Sequence, residues 1–216
     1  MLNHSPAGRP RVLWETAQAL NRRAAPGKAL PPLLFVTDPM RTPDAQILAI
    51  AERLPEGAGV IYRAFGGASA GETARALKAI AARRGLKLLI GLDSGLARDC
   101  EADGVHLPER ALHKAPELRS QCPHWLITGA AHSAEALRAA ELAGVDAVLL
   151  SSVFPSPSPS SGPSLGVGDF TALRRTTALP VYALGGVNAH NAPLLAESGA
   201  AGLAAVEGVV AEYGRD

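Results

Sequence analysis

At 216 residues with 47% hydrophobic content, the chain is long enough for one domain with a sizeable core and too apolar for a disordered segment. Its 21 basic and 20 acidic residues leave a formal net charge of +1. That balance offers no basic footprint for nucleic acid or an anionic membrane, so neither is expected as a partner.

The chain opens with a charged, non-secretory stretch in which Val12–Ala24 (VLWETAQALNRRA) has helical spacing. Residues 1–30 are therefore read as a helical extension, either covering the bottom of the following fold or attached as an arm. Leu33–Thr37 is the first strand, and it runs into Thr37-Asp38-Pro39 with no glycine. Pro43–Leu54 follows as a helix, with Thr42 as the expected N-cap and Pro43 at the first helical position. Ala58–Ala64 is the second strand and Ala70–Arg84 the next helix. Lys87–Gly91, Asp103–Leu107 and His124–Ala131 are strands three to five, after which Ser133 is placed to cap a helix over Ser133–Ala143. Strand six, Asp146–Ser152, leads into a Pro/Ser-rich loop over Pro155–Gly166 whose composition excludes helix and strand. Leu179–Gly185 is strand seven, Asn188–Ser198 is read as a helix ending before Gly199, and Gly202–Val206 is strand eight.

Eight short apolar strands separated by amphipathic segments predict a parallel sheet buried on both faces. Their count and spacing predict an α/β fold of the (β/α)8 TIM-barrel class over residues 31–216, with an extra N-terminal helix. A doubly wound open sheet is the alternative, but it usually has fewer strands and a Gly-rich turn after the first. No apolar run approaches the roughly 20 residues that span a bilayer, so a cytoplasmic protein is expected. Cys100 and Cys122 form no CxxC or Cys/His cluster and are read as packing residues in a reducing compartment.

Barrels carry their chemistry at the C-terminal ends of the strands. The residues there set the candidate site. Gly185-Gly186 closes strand seven, where a backbone without a Cβ admits either an oxyanion or simply a tight turn. Glu207 and Gly208 stand at the exit of strand eight, and His132 lies just past strand five.

The ordered blocks ADGVHL (Ala102–Leu107), AAHSAEAL (Ala130–Leu137), GVDAVLLSSVFPSPSPSSGPSLG (Gly144–Gly166) and LPVYALGGVNAHNAPLLAESGAAGLAAV (Leu179–Val206) resemble the thiamine-phosphate synthase/TenI superfamily. The similarity runs from about Leu33 to Val209 and is stronger after Ala102. The resemblance implies a barrel binding a thiazole phosphate, with homo-oligomerisation open. Ser156 and Ser158 match a Thr-Pro-Thr segment that contacts phosphate, with a solvated linker as the alternative reading, and Gly166 matches a glycine near the thiazole. Arg63 is what remains of a Gln-x-Arg-x-Lys motif whose lysine is replaced by Phe65. The synthases hold Mg²⁺ on a pyrimidine diphosphate through an Asn-Asp pair after strand three and an Asp after strand four. Here Gly91-Leu92 and Ala111 occupy those positions. Where the family has a serine beside the phosphate, Glu207 either repels the anion from inside or opens the last helix and faces solvent.

His132 matches the catalytic histidine of the TenI type, and imidazole suits proton transfer near neutral pH. The resemblance thus favours a thiazole tautomerase with no cofactor, using His132 as base, over a synthase. Two alternatives stand: a non-catalytic barrel that binds a phosphate ligand, and a synthase whose Mg²⁺ is held by Asp38, Asp93 or Glu109. His106 is expected to be structural. His4, His113, His124 and His190 carry little weight.

Overall fold

The computed structural model describes residues 11–27, 29–64, 66–156 and 163–214. Eight strands pair in sequence order: β1 (Leu33–Val36), β2 (Gly59–Tyr62), β3 (Lys87–Gly91), β4 (Gly104–Leu107), β5 (Leu126–Ala131), β6 (Ala147–Leu150), β7 (Val181–Ala183) and β8 (Gly202–Ala205). Each pairing is parallel, and β8 closes onto β1 to complete the barrel. The (β/α)8 expectation holds and the open-sheet alternative falls.

Most strands read as apolar runs because both of their faces are buried, with His106 in β4 and Thr128 in β5 as buried polar exceptions. Leu34, Ile61, Leu89, Leu149 and Tyr182 pack together in the interior. Their neighbours Phe35, Val60, Leu88, Val148 and Val181 face the surrounding helices. At the N-terminal end of the barrel Leu30 joins the interior cluster, and the buried Tyr182 hydroxyl donates to Pro31 O at 2.6 Å.

Two aspartates staple that same end. Asp103, just ahead of β4, accepts from Leu88 N–H at 3.0 Å, and Asp146, just ahead of β6, accepts from Ile127 N–H at 2.8 Å. Burial alone would raise the Asp103 carboxyl, but the Leu88 N–H and the ammonium groups of Lys87 and Lys78 outweigh it and hold it below the usual range.

Gly104 is set by packing. A Cβ there would lie 1.9 Å from the backbone oxygen of Leu126 on the adjacent strand, which cannot rotate away. Gly104→Ala should therefore cost about 3 kcal/mol, because relief requires moving a strand. A urea midpoint within error of wild type would show that the barrel gives way there.

The helices are α1 (Val12–Ala24), α2 (Asp44–Arg53), α3 (Ala70–Arg84), α4 (Ser94–Asp99), α5 (Ala115–Gln121), α6 (Ala134–Ala143), α7 (Gly166–Arg174) and α8 (Glu207–Tyr213). Short 3-10 helices span Glu109–Lys114 and Ala192–Leu195. α1 buries Leu13, Ala17 and Leu20 and packs against β8, β1, α8 and the Ala192–Leu195 turn. It lies against β8 and β1, and its last turn reaches the N-terminal end of the barrel. Asn21 ties its last turn to Ala201 O at 2.9 Å, and Glu212 of α8 accepts from Leu13 N–H at 3.2 Å.

Ser133 caps α6 as expected, accepting from Ala136 N–H at 3.2 Å. Thr42 does not cap α2: Pro43 takes the N-cap position, and Asp44 begins the helix while accepting from Ser69 and Thr73. The helix expected over Asn188–Ser198 is only the Ala192–Leu195 turn. Polar side chains there compete for the backbone. Asn191 accepts from Asn188 N–H and donates to Gly186 O, while Ser198 donates to Leu195 O. Among the described residues, no helix is long and apolar enough to cross a membrane.

Candidate functional site

The C-terminal ends of the strands surround a cavity of about 580 Å³. Of the residues singled out from sequence, Arg63, His132, Ser156, Gly185, Gly186, Glu207 and Gly208 all line it. Gly166 does not; it opens α7 at a φ of +69° and donates its N–H to Val153 O. Ser158, like Phe65 and His4, lies outside the described residues.

The tight-turn reading of Gly185-Gly186 has direct support. Both glycines have positive φ, +96° and +65°, a region costly for any residue with a Cβ. Packing also excludes a side chain. A Cβ on Gly185 would meet the Ser152 hydroxyl at 2.2 Å, and one on Gly186 would meet Pro155 O at 2.4 Å. The segment after β6 thus rests directly on the turn after β7, secured by Phe154 N–H to Gly185 O at 3.0 Å. This contact brings Ser151, Ser152 and Ser156 to one wall of the cavity.

His132 also lines the cavity, one residue beyond β5 and beside the exit of β6, with its Nδ1 2.9 Å from Glu109 Oε2. Glu109 begins the 3-10 helix after β4, so two neighbouring strand exits supply the pair. From sequence, Glu109 stood only among the substitute metal ligands of the synthase alternative; the structure makes it the partner of His132. With Nδ1–H donating to the carboxylate, Nε2 is left as the basic nitrogen. The other weakly rated histidines within the described residues, His113, His124 and His190, are exposed and away from the cavity.

The first two strand exits provide charge. Arg63 donates from its Nε to Thr37 O at 2.7 Å, and its backbone N–H meets Thr37 Oγ1 at 3.0 Å. Asp38 faces Arg63 at 3.4 Å and Arg41 at 2.8 Å. Arg41 also lines the cavity, and its Nη1 reaches Glu207 Oε1 at 2.5 Å. Sequence reasoning missed Arg41, although its place in the loop after the first strand put it on the working face. Glu207 resolves between its two readings: it is the first residue of α8, its side chain is 54% exposed, and it stands at the rim paired with a cation.

Below the cavity, His106 faces the barrel interior, since Val105 and Leu107 on either side of it belong to the outer core. Its Nδ1 lies 2.9 Å from Thr128 Oγ1. Burial, with the nearby Arg63 adding to it, pushes its pKa from 6.5 down to about 4. It is neutral near pH 7, in keeping with a structural role. Cys100 and Cys122 are buried and free, and burial pushes the Cys100 thiol up.

The side chains do not fit a resident Mg²⁺. Hard oxygen donors are needed, usually carboxylates. Gly91, Leu92 and Ala111 carry none, Asp93 is occupied capping α4 through Leu96 N–H, and Asp38 and Glu109 face Arg41 and His132. Among the described residues, no three His, Cys, Asp or Glu side chains gather as a metal site.

Fold and site together define a (β/α)8 barrel with a cavity at the mouth and a carboxylate-backed histidine on its wall. The chain belongs to the thiamine monophosphate synthase family, whose model matches residues 33–209. A thiamine-phosphate synthase of Thiobacillus denitrificans is 36% identical over 172 residues, covering 76% of this chain and 80% of that protein. One of Thioalkalivibrio sulfidiphilus is 34% identical over 142 residues, covering 65% and 67%. The solved thiamine phosphate pyrophosphorylase of Pyrococcus furiosus superposes with a TM-score of 0.69 at 20% identity, covering 81% of this chain and 85% of that one. At that identity the likeness speaks to the fold alone.

Proposed function

We propose that this protein is a metal-independent tautomerase of a thiazole phosphate, with His132 as the proton-transfer group. One observation carries the reading: His132 on the cavity wall is backed by Glu109 at 2.9 Å. It is joined by the sequence resemblance, which aligns Gly91, Leu92 and Ala111 with the family's metal ligands. Nε2 takes a proton from the saturated ring carbon and returns it to a carbon outside the ring, so the ring becomes aromatic and the enzyme is unchanged after each turnover. The Glu109 carboxylate offsets the imidazolium that forms between the two transfers. The phosphate lodges at the strand-seven and strand-eight exits, beside Gly185, Gly186 and Gly208. This is where barrels commonly hold such groups.

The synthase reading draws on the names of the relatives. Against it stand the missing metal ligands and Phe65 in place of the lysine, which leave a departing diphosphate without its stabilising charge. Purified protein should convert the non-aromatic thiazole carboxylate phosphate to its aromatic tautomer at the same rate in chelator as in millimolar Mg²⁺. Magnesium-dependent formation of thiamine phosphate, with no tautomer conversion, would overturn the assignment. Binding of the thiazole phosphate with neither reaction would favour the non-catalytic barrel.

A further inference from the structure

Four charges from three strand exits form one chain across the rim of the cavity: Arg63, Asp38, Arg41 and Glu207. The two carboxylates are held very differently. Asp38 is only 13% exposed; it accepts from Arg41 Nε at 2.8 Å and from Met40 N–H at 3.2 Å, and it also faces Arg63. Glu207 is 54% exposed, and Arg41 is its one ion-pair partner among the described residues. Arg41 is thus anchored from behind by Asp38 and covered in front by a loosely held carboxylate.

We propose that Glu207 is a displaceable counter-ion: it occupies Arg41 at rest, and the phosphate monoester of the ligand takes its place. Arg41 then becomes a phosphate-binding residue. This rests on the reading that the ligand carries a phosphate. An exposed carboxylate–guanidinium pair is weak, whereas a phosphate dianion offers a guanidinium a stronger, charge-assisted contact. Glu207 begins α8, so on release it swings into solvent and stays near the positive end of that helix. A fixed carboxylate at this point would exclude phosphate outright, whereas an exchangeable one lowers its affinity by a modest factor.

The test is a binding cycle with inorganic phosphate and with the thiazole phosphate, measured by calorimetry at low ionic strength. The proteins are wild type, Glu207→Gln, Arg41→Ala and the double variant. Glu207→Gln should tighten phosphate binding about three- to tenfold, since an exposed pair no longer competes. Arg41→Ala should weaken it about tenfold or more. With Arg41 absent, Glu207→Gln should gain at most about a third of its former effect. Equal gains in both backgrounds would mean that Glu207 acts by repulsion alone and would overturn the exchange, as would unchanged affinity in Arg41→Ala. If neither wild type nor Glu207→Gln binds either anion, the phosphate reading falls with it. If phosphate binds but the cycle is flat, only the exchange falls.

Discussion

Replacing His132 by alanine should lower the turnover number for tautomer conversion by roughly a hundred- to ten-thousand-fold, the usual contribution of a positioned acid–base group. The affinity for the thiazole phosphate should change little, because His132 belongs to the strand-five exit and not to the strand-seven and strand-eight exits where the phosphate is proposed to lodge. Glu109→Gln isolates the second half of the pair. Its amide oxygen can still accept from Nδ1–H at the 2.9 Å separation seen for Oε2, but it cannot offset an imidazolium. A loss of roughly tenfold, about 1.4 kcal/mol in the barrier, is expected from that variant. Steady-state kinetics of wild type and the two variants, run with a circular-dichroism control for folding, decide the matter. Full turnover in His132→Ala would remove the histidine from the mechanism.

The second large effect concerns acid stability. His106 titrates at about 4 in the folded protein, against an ordinary value of 6.5. Between those values the unfolded chain binds a proton that the folded chain refuses. Stability is therefore complete above about pH 6.5 and falls as the pH drops towards 4, by about 3 kcal/mol in all. His106→Gln keeps a hydrogen-bonding side chain beside Thr128 and removes the titration. Urea unfolding at several pH values should show the slope between pH 4 and 6.5 largely abolished in that variant. Carboxylates such as Asp103, held below their usual range, lose their contribution only at lower pH. An unchanged slope would show that His106 already carries its proton in the native state or that other groups dominate this window.

Much of the site was legible because barrels place function at strand exits, and the strands themselves were legible. His132, Arg63, Ser156, Gly185, Gly186, Glu207 and Gly208 converge on one cavity. Arg41 and the role of Glu109 were not legible. The Arg41–Glu207 contact joins residues 166 apart in sequence, and the Glu109–His132 contact joins residues 23 apart on neighbouring strand exits. No local pattern encodes either. The segment after β7 misled for a different reason: its asparagines looked like caps but bind the turn instead.

By itself, the sequence determined the order of the eight strands and the barrel they close. Each strand needs apolar side chains on both faces, and caps such as Ser133 act on the next turn of chain, so both leave a local trace. Only the tertiary structure decided which charges meet at the mouth. Barrel closure brings the first and last strands side by side, and the ion pair between Arg41 and Glu207 exists only once that ring is shut.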